Sequence, residues 1–229
     1  MSLNIFVIFS IFANLIADFK NNREDTIAQY YHQYDLPASV ILKGDIAVDT
    51  EAMGLNNHRD RLCAVQISNG DGDAHIIHYP KPQYKSPNLV KLLADEKRVK
   101  IFHFARFDLA ILRHYLGLKF ENIFCTKIAS RLARTYTDQH GLKDLCQELL
   151  NIKLNKQQQS SYWGADSLTK DQLAYAASDV LYLHKLRDKL IEMLTKEGRI
   201  ELAQKCCKFL PTRAEIDLLG WPDFDIFQH

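Results

Sequence analysis

Residues 46–51 read Ile-Ala-Val-Asp-Thr-Glu, and the reading of this hexapeptide decides the fold. Ile46-Ala47-Val48 is a short apolar run of the kind that makes a buried strand. Asp49-Thr50-Glu51 sits where that strand ends. Residues two apart on a strand face one side, so both carboxylates point to one place. A strand buried just upstream holds such a pair only where cations neutralise it. Two surface acids at a strand end would look the same in isolation, so the pair takes its meaning from what accompanies it.

Downstream, residues 61–68 (RLCAVQIS) read as a second strand. The turn-rich 69–73 (NGDGD) leads into a third at 74–78, a hairpin pattern. Pro87 opens a short helix over 88–94. A strand over 99–104 precedes a helix over 109–116, closed by Gly117. Residues 123–126 form another strand, and helices follow at about 127–135, 142–150 and 170–195. The chain thus opens with hairpin strands, alternates strand and helix, and ends helical. That is an α/β fold with a mixed central sheet flanked by helices.

Two further segments carry acids. His103-Phe104-Ala105-Arg106-Phe107-Asp108 runs from a strand into a helix, where Asp108 is either a helix-start partner or a functional group. Tyr175-Ala176-Ala177-Ser178-Asp179 places Tyr175 and Asp179 four apart, on one helix face. That helix buries Ala176, Val180, Leu183, Leu190 and Leu194, with Asp179 at the edge of the apolar arc. A carboxylate there calls for a metal or a cationic partner.

In this order, Asp49, Glu51, Asp108 and Asp179 resemble the DEDD pattern of the 3′–5′ exonucleases, which have a ribonuclease H-like fold. Tyr175 matches the tyrosine branch; the histidine branch would carry His where this chain has Ala174. The resemblance implies catalysis by Asp49, Glu51, Asp108, Tyr175 and Asp179, with the four acids holding two divalent cations, Mg²⁺ or Mn²⁺. It implies that Asp49 bridges both ions, Glu51 and Asp179 complete one site, Asp108 holds the second ion, and Tyr175 orients the attacking water. Hard oxygen donors suit those metals, and nothing here offers the thiolate or imidazole cluster that zinc prefers.

Substrate-holding candidates surround the acids. Leu55 either wedges against terminal bases, as related enzymes do at this position, or tucks into the core. His103 lies beside the second acid segment. The segment 156–163 (KQQQSSYW) matches the family at Lys156, Gln159 and Trp163, with Ser160 a further candidate contact, but has Tyr162 where Asp is usual. Lys and amides suit phosphate and sugar contacts. Arg131, Arg134, His140 and Lys143 either engage a 5′ phosphate or form solvated faces.

Longer runs narrow the resemblance. DTEAMGL, HRDRLCAVQIS, KIFHFARFDLAIL, FCTKIASRLARTYTDQHGLKDLC, KQQQSS, YAASDVLYLH and the tail DLLGW…DIF are similar to the NrnC-type nanoRNases of alphaproteobacteria. This group implies a homo-octameric ring acting on very short RNAs, especially diribonucleotides such as pGpG. The broader alternative is a ribonuclease D-like exonuclease that trims longer RNA 3′ ends or DNA. A non-catalytic RNA-binding relative would have lost acids, and all four remain with Tyr175.

The totals agree. The chain has 229 residues, enough for one well-buried α/β domain, expected over 26–229. A net charge of +1 speaks against a protein that coats long nucleic acid, but allows an enzyme that grips few phosphates. Five cysteines without a C-x-x-C pair read as thiols in a reducing compartment, so a cytoplasmic location is expected. Residues 1–25 form an apolar extension whose opening run is shorter than the roughly 18–20 residues that span a bilayer. It reads as a docked helix, a disordered segment or an extension contributed by an upstream start codon, and no membrane role is expected.

Overall fold

The computed structural model describes residues 28–154, 158 and 161–228. The extension over 1–25 therefore lies outside the described residues, as do Lys156, Gln159 and Ser160. Six strands form one sheet: β1 (Gln29–Gln33), β2 (Ile46–Ala52), β3 (Leu62–Ser68), β4 (Ala74–His78), β5 (Lys100–Phe102) and β6 (Ile123–Cys125). Their order across the sheet is β1-β4-β3-β2-β5-β6. The meander β2-β3-β4 is antiparallel, whereas β5 joins β2, and β6 joins β5, in parallel. This is the mixed sheet expected, and its helices cover both faces.

The described residues also form seven helices: α1 (Pro87–Leu93), α2 (Ala105–Leu116), α3 (Thr126–Ala133), α4 (Leu142–Leu150), α5 (Lys170–Leu181), α6 (Leu183–Lys196) and α7 (Ile200–Leu218). Alternation along β2 assigns its side chains to two layers. Ile46 and Val48 enter a core shared with α1, α2 and α7, while Ala47 enters the opposite core with α4, α5 and α6. Leu190 and Leu194 of α6 form a third cluster with Ala129 and Ala133 of α3. Among the described residues, no helix is long and apolar enough to cross a membrane.

Three elements differ from the sequence reading. The strand expected over 99–104 ends at Phe102, because the chain turns sharply at Phe104 and α2 begins at Ala105. The helix expected over 170–195 is broken at Tyr182, so that α5 lies across β2, β3 and β4 while α6 packs against α3 and α4. Neither Gly nor Pro marks that break. Strand β1 was not anticipated. Its QYYHQ sequence lacks apolar alternation, and it pairs with β4 through ring contacts of Tyr30 and His32 with His75.

Candidate active site

Asp49 and Glu51 share the β2 face that meets α5. That helix is drawn close to the sheet by small residues on both sides. Ala176 and Ala177 of α5 pack in one core with Ala47, Cys63, Ala64 and Ala74 of the strands, all fully buried. Short side chains at a close-packed contact bring the backbones together, and Asp179 thereby reaches the strand acids. Ligand oxygens of Asp49, Glu51 and Asp179 lie within 4.8 Å of one another.

Asp108 arrives from the other layer. It sits in the first turn of α2, 4% exposed, outside the close group of three. Thr50, alternating to the opposite face of β2 from Asp49 and Glu51, donates its hydroxyl to Asp108 Oδ1 at 2.6 Å. The middle residue of the D-x-E motif thus ties the fourth acid to the strand bearing the first two. Sequence reading missed Thr50, although a small hydroxyl between two acids on a strand is a usable signal.

Burial and mutual repulsion dominate the electrostatics. Asp49 is pushed well above the usual carboxylate range, first by burial and then by the charges of Asp108, Asp179 and Glu51. Glu51 is raised likewise, by burial and then by Asp179 and Asp108. Burial lifts Asp108 to about 7 against the opposing hydrogen bond from Thr50. Among the described residues, no lysine, arginine or histidine offsets the repulsion at these three carboxyls. An all-oxygen donor set with unrelieved negative charge fits hard divalent cations.

Tyr175 joins the cluster. Its phenol is hydrogen-bonded to Asp179, and burial together with the charges of Asp179, Glu51 and Asp49 pushes its pKa upward. It therefore keeps its proton at neutral pH and serves as a donor. Its ring lies 6.1 Å from that of Trp163. Trp163, a candidate substrate contact, is only 2% exposed, and its indole packs against Tyr175 from inside. Met53 Sδ lies close over Gly164, 2.5 Å from where a Cβ would stand. Arg61 Nη2 donates to Gly164 O at 3.0 Å and fastens the segment to β3.

Arg134, another candidate substrate contact, is placed inside as well. It is fully buried, ion-paired with Glu148, and donates to Ser130 Oγ and to Gln139 O. It closes the bend between α3 and α4. Leu55, by contrast, is 86% exposed four residues beyond Glu51, so the core alternative fails. His103 is half-buried, its Nδ1 2.9 Å from Thr126 Oγ1. The Thr126 hydroxyl proton goes to Phe102 O at 3.1 Å, so His103 is the donor in that pair.

Phe104, between His103 and α2, adopts a left-handed backbone conformation with φ 65° and ψ 45°. For a bulky side chain this costs about 1–2 kcal/mol. Its ring is nearly half exposed and lies under Lys127, whose Nζ is 3.9 Å from the ring centroid. Sequence reading assigned neither residue a role, since the conformation of Phe104 leaves no mark in composition.

A family model described as 3′–5′ exonuclease matches residues 25–195. Ribonuclease D of Gluconacetobacter diazotrophicus is 33% identical over 156 residues, which is 68% of this chain and 39% of that protein. This chain thus spans about two fifths of the length of the curated relatives it matches. NrnC of Brucella melitensis, in its structure bound to pGG, is 55% identical with a TM-score of 0.86, covering 89% of this chain and all 100% of that one. The same protein with bound Mg²⁺ gives 53% identity and a TM-score of 0.85, over 89% of this chain and 100% of that one. Matched along most of its length, and with its four acids and its tyrosine gathered at the end of β2, this chain belongs to the 3′–5′ exonuclease family, in its ribonuclease D-like, NrnC-type branch.

Proposed function

We propose that this chain is a metal-dependent 3′–5′ exoribonuclease that degrades very short RNAs, especially diribonucleotides including pGpG, to nucleoside 5′-monophosphates. The observation that carries the reading is the carboxylate cluster itself: three acids within 4.8 Å, a fourth behind them, and no cationic side chain among the described residues to offset the repulsion at Asp49, Glu51 and Asp108. The narrowing to short RNA rests on the similarity to NrnC, whose structure holds pGG and which this chain covers end to end.

Asp49, Glu51 and Asp179 would hold divalent cations, with Asp108 completing the set from the other layer. Bound there, two such ions supply activation of water and stabilisation of charge on the phosphodiester oxygens. The chain's own groups do the positioning. Tyr175 retains its proton and donates toward Asp179, fixing that carboxylate and offering a hydroxyl beside the reacting phosphate. Thr50 orients Asp108. Leu55, exposed beside the acids, presents an apolar edge against which a terminal base can rest. His103 and the segment bearing Lys156, Gln159 and Ser160 are further candidates for sugar and phosphate contacts. The exonuclease domain is assigned to 26–229, working in the cytoplasm as a homo-octameric ring.

The broader reading, trimming of longer RNA 3′ ends or DNA, is favoured by the ribonuclease D relatives. Hydrolysis of 5′-labelled RNAs two to seven nucleotides long, with Mg²⁺ and with Asp108→Ala as the blank, separates the two. Much faster consumption of the dinucleotide than of the heptamer is the expected result. Equal, stepwise trimming of the heptamer would establish the broader enzyme.

A further inference from the structure

Gln66 places a buried, unpaired amide on the strand next to the carboxylates. It lies in β3, fully buried, and neither its Nε2 nor its Oε1 has a hydrogen-bond partner among the described residues. Both ends of a buried amide left unpaired cost stability, so a group of this kind needs a reason to stay. The strand register supplies one. Gln66 stands directly opposite Asp49 on β2 and opposite Ile76 on β4. Directly opposed residues leave the sheet on the same face, with Cβ atoms about 4.5–5.5 Å apart. The amide therefore projects beneath α5, beside the Asp49 carboxyl. Other neighbours on that face have no use for it. Ile76, Ala64, and the α5 residues Ala176, Ala177 and Val180 of the same core carry no polar side-chain atom. Ser68, two residues further along β3, gives its hydroxyl to Asp73 O at 2.7 Å.

The neighbouring acids are each steadied by a side-chain donor: Asp108 by the Thr50 hydroxyl and Asp179 by the Tyr175 phenol. Carboxylates that hold a metal are commonly fixed in this way from behind. We infer that Gln66 is the positioning residue for Asp49, its Nε2 donating to the Asp49 carboxylate when that carboxylate holds a divalent cation. A neutral amide suits the place. It donates a hydrogen bond without bringing a positive charge that would compete with the cation. The metal-free fold carries the cost, an amide buried without a partner. The role rests on the metal-dependent reading of this site, and on no other part of the proposed function.

The test asks for opposite signs in two measurements on the full-length protein. Gln66→Met and Gln66→Leu, apolar and close in volume, are expected to raise the Tm of the EDTA-treated protein by about 2–4 °C, because the unpaired amide is gone. Both should weaken Mg²⁺ binding in calorimetry about tenfold. Gln66→Ala, which cannot overpack the core, is expected to lose the same Mg²⁺ affinity. With a dinucleotide, kcat should fall about tenfold at limiting Mg²⁺ and recover as Mg²⁺ is raised. KM for the dinucleotide should not move, since a side chain beneath α5 does not reach RNA. Unchanged Mg²⁺ affinity in Gln66→Ala overturns the role. A metal-free Tm lowered in Gln66→Met and Gln66→Leu alike overturns it as well, because the amide would then be a paired, structural group. A raised KM without loss of Mg²⁺ affinity would move Gln66 to the substrate and overturn it too. A wild-type protein that binds Mg²⁺, with the variants behaving as expected, yet cuts no RNA overturns the exoribonuclease reading and leaves Gln66 at the metal. A wild-type protein that binds neither Mg²⁺ nor Mn²⁺ overturns both.

Discussion

The two helices that deliver a carboxylate to the site begin in opposite ways. α5, which carries Tyr175 and Asp179, starts with a full capping box: Gln172 N donates to Thr169 Oγ1, and Thr169 N donates to Gln172 Oε1. α2, which carries Asp108, starts with Phe104 in a left-handed conformation and has no side-chain cap. One end is arranged for stability. The other holds strain next to the acids, in keeping with the tendency of unusual backbone conformations to gather at functional sites. The contrast extends to the layers, since α5 lies flat on small strand residues whereas α2 reaches the site around the end of β5.

If both layers serve one reaction, an acid from either should be indispensable. Asp179→Asn and Asp108→Asn are each expected to lower dinucleotide hydrolysis on the order of a thousandfold, the loss of several kcal/mol of charge stabilisation. A mild effect at Asp108 alone would detach the α2 layer from the chemistry. The two variants should also differ in metal-free stability from the wild type. The folded protein keeps the Asp108 proton up to about pH 7, against an ordinary value of 3.8. Between those values the folded state binds more protons than the unfolded chain. The Asp108 contribution to stability is therefore greatest at the acid end and declines as pH rises toward 7. Melting of EDTA-treated wild type and Asp108→Asn from pH 5 to 8 should show the wild type losing ground with pH, and Mg²⁺ restoring it at pH 8. Parallel curves would contradict the burial assigned to Asp108.

Thr50→Val probes the link between layers. Removing the donor to a buried carboxyl should cost about 1–3 kcal/mol in denaturant unfolding at pH 8, and an unaltered midpoint would mean that Thr50 does not hold Asp108. Tyr175→Phe should lower kcat about tenfold, roughly the value of one positioned hydrogen bond. The basic limb of its pH–rate profile should stay where the wild type has it, because a phenol raised by burial and three carboxylates does not titrate there. Loss of that limb in Tyr175→Phe would make the tyrosine a base. The smallest effect is expected at the cap. Thr169→Ala should remove about 1 kcal/mol and lower Tm by about 2–4 °C, and a neutral result would erase the asymmetry between the two helix starts.

Much of this was legible in the chain itself. Asp49 and Glu51 could be placed on one strand face because side chains alternate with period two, and Tyr175 with Asp179 on one helix face because helical neighbours recur four apart. The turn-rich 69–73 announced the hairpin of β3 and β4, and Gly117 does close α2, with φ 67°. Regular local periods are written into sequence, so these elements were readable. β1 was not, because its exposed, aromatic-rich residues become a strand only on pairing with β4. The break at Tyr182 was equally hidden, since its flanking helices diverge to satisfy two different packing partners rather than any local breaker.

The sequence by itself therefore determined the fold class, the identity of the acids and the tyrosine, and the metal chemistry that such a donor set invites. Only the tertiary structure decided which charges are inside. Arg134 and Trp163, polar and aromatic candidates by composition, are buried, whereas Leu55, apolar by type, is the most exposed of the three. Composition states what a side chain can do, but burial and direction depend on elements far apart in the chain meeting in space. Asp108 approaching from the second layer, Thr50 turned to meet it and Phe104 held under Lys127 all arise from such meetings.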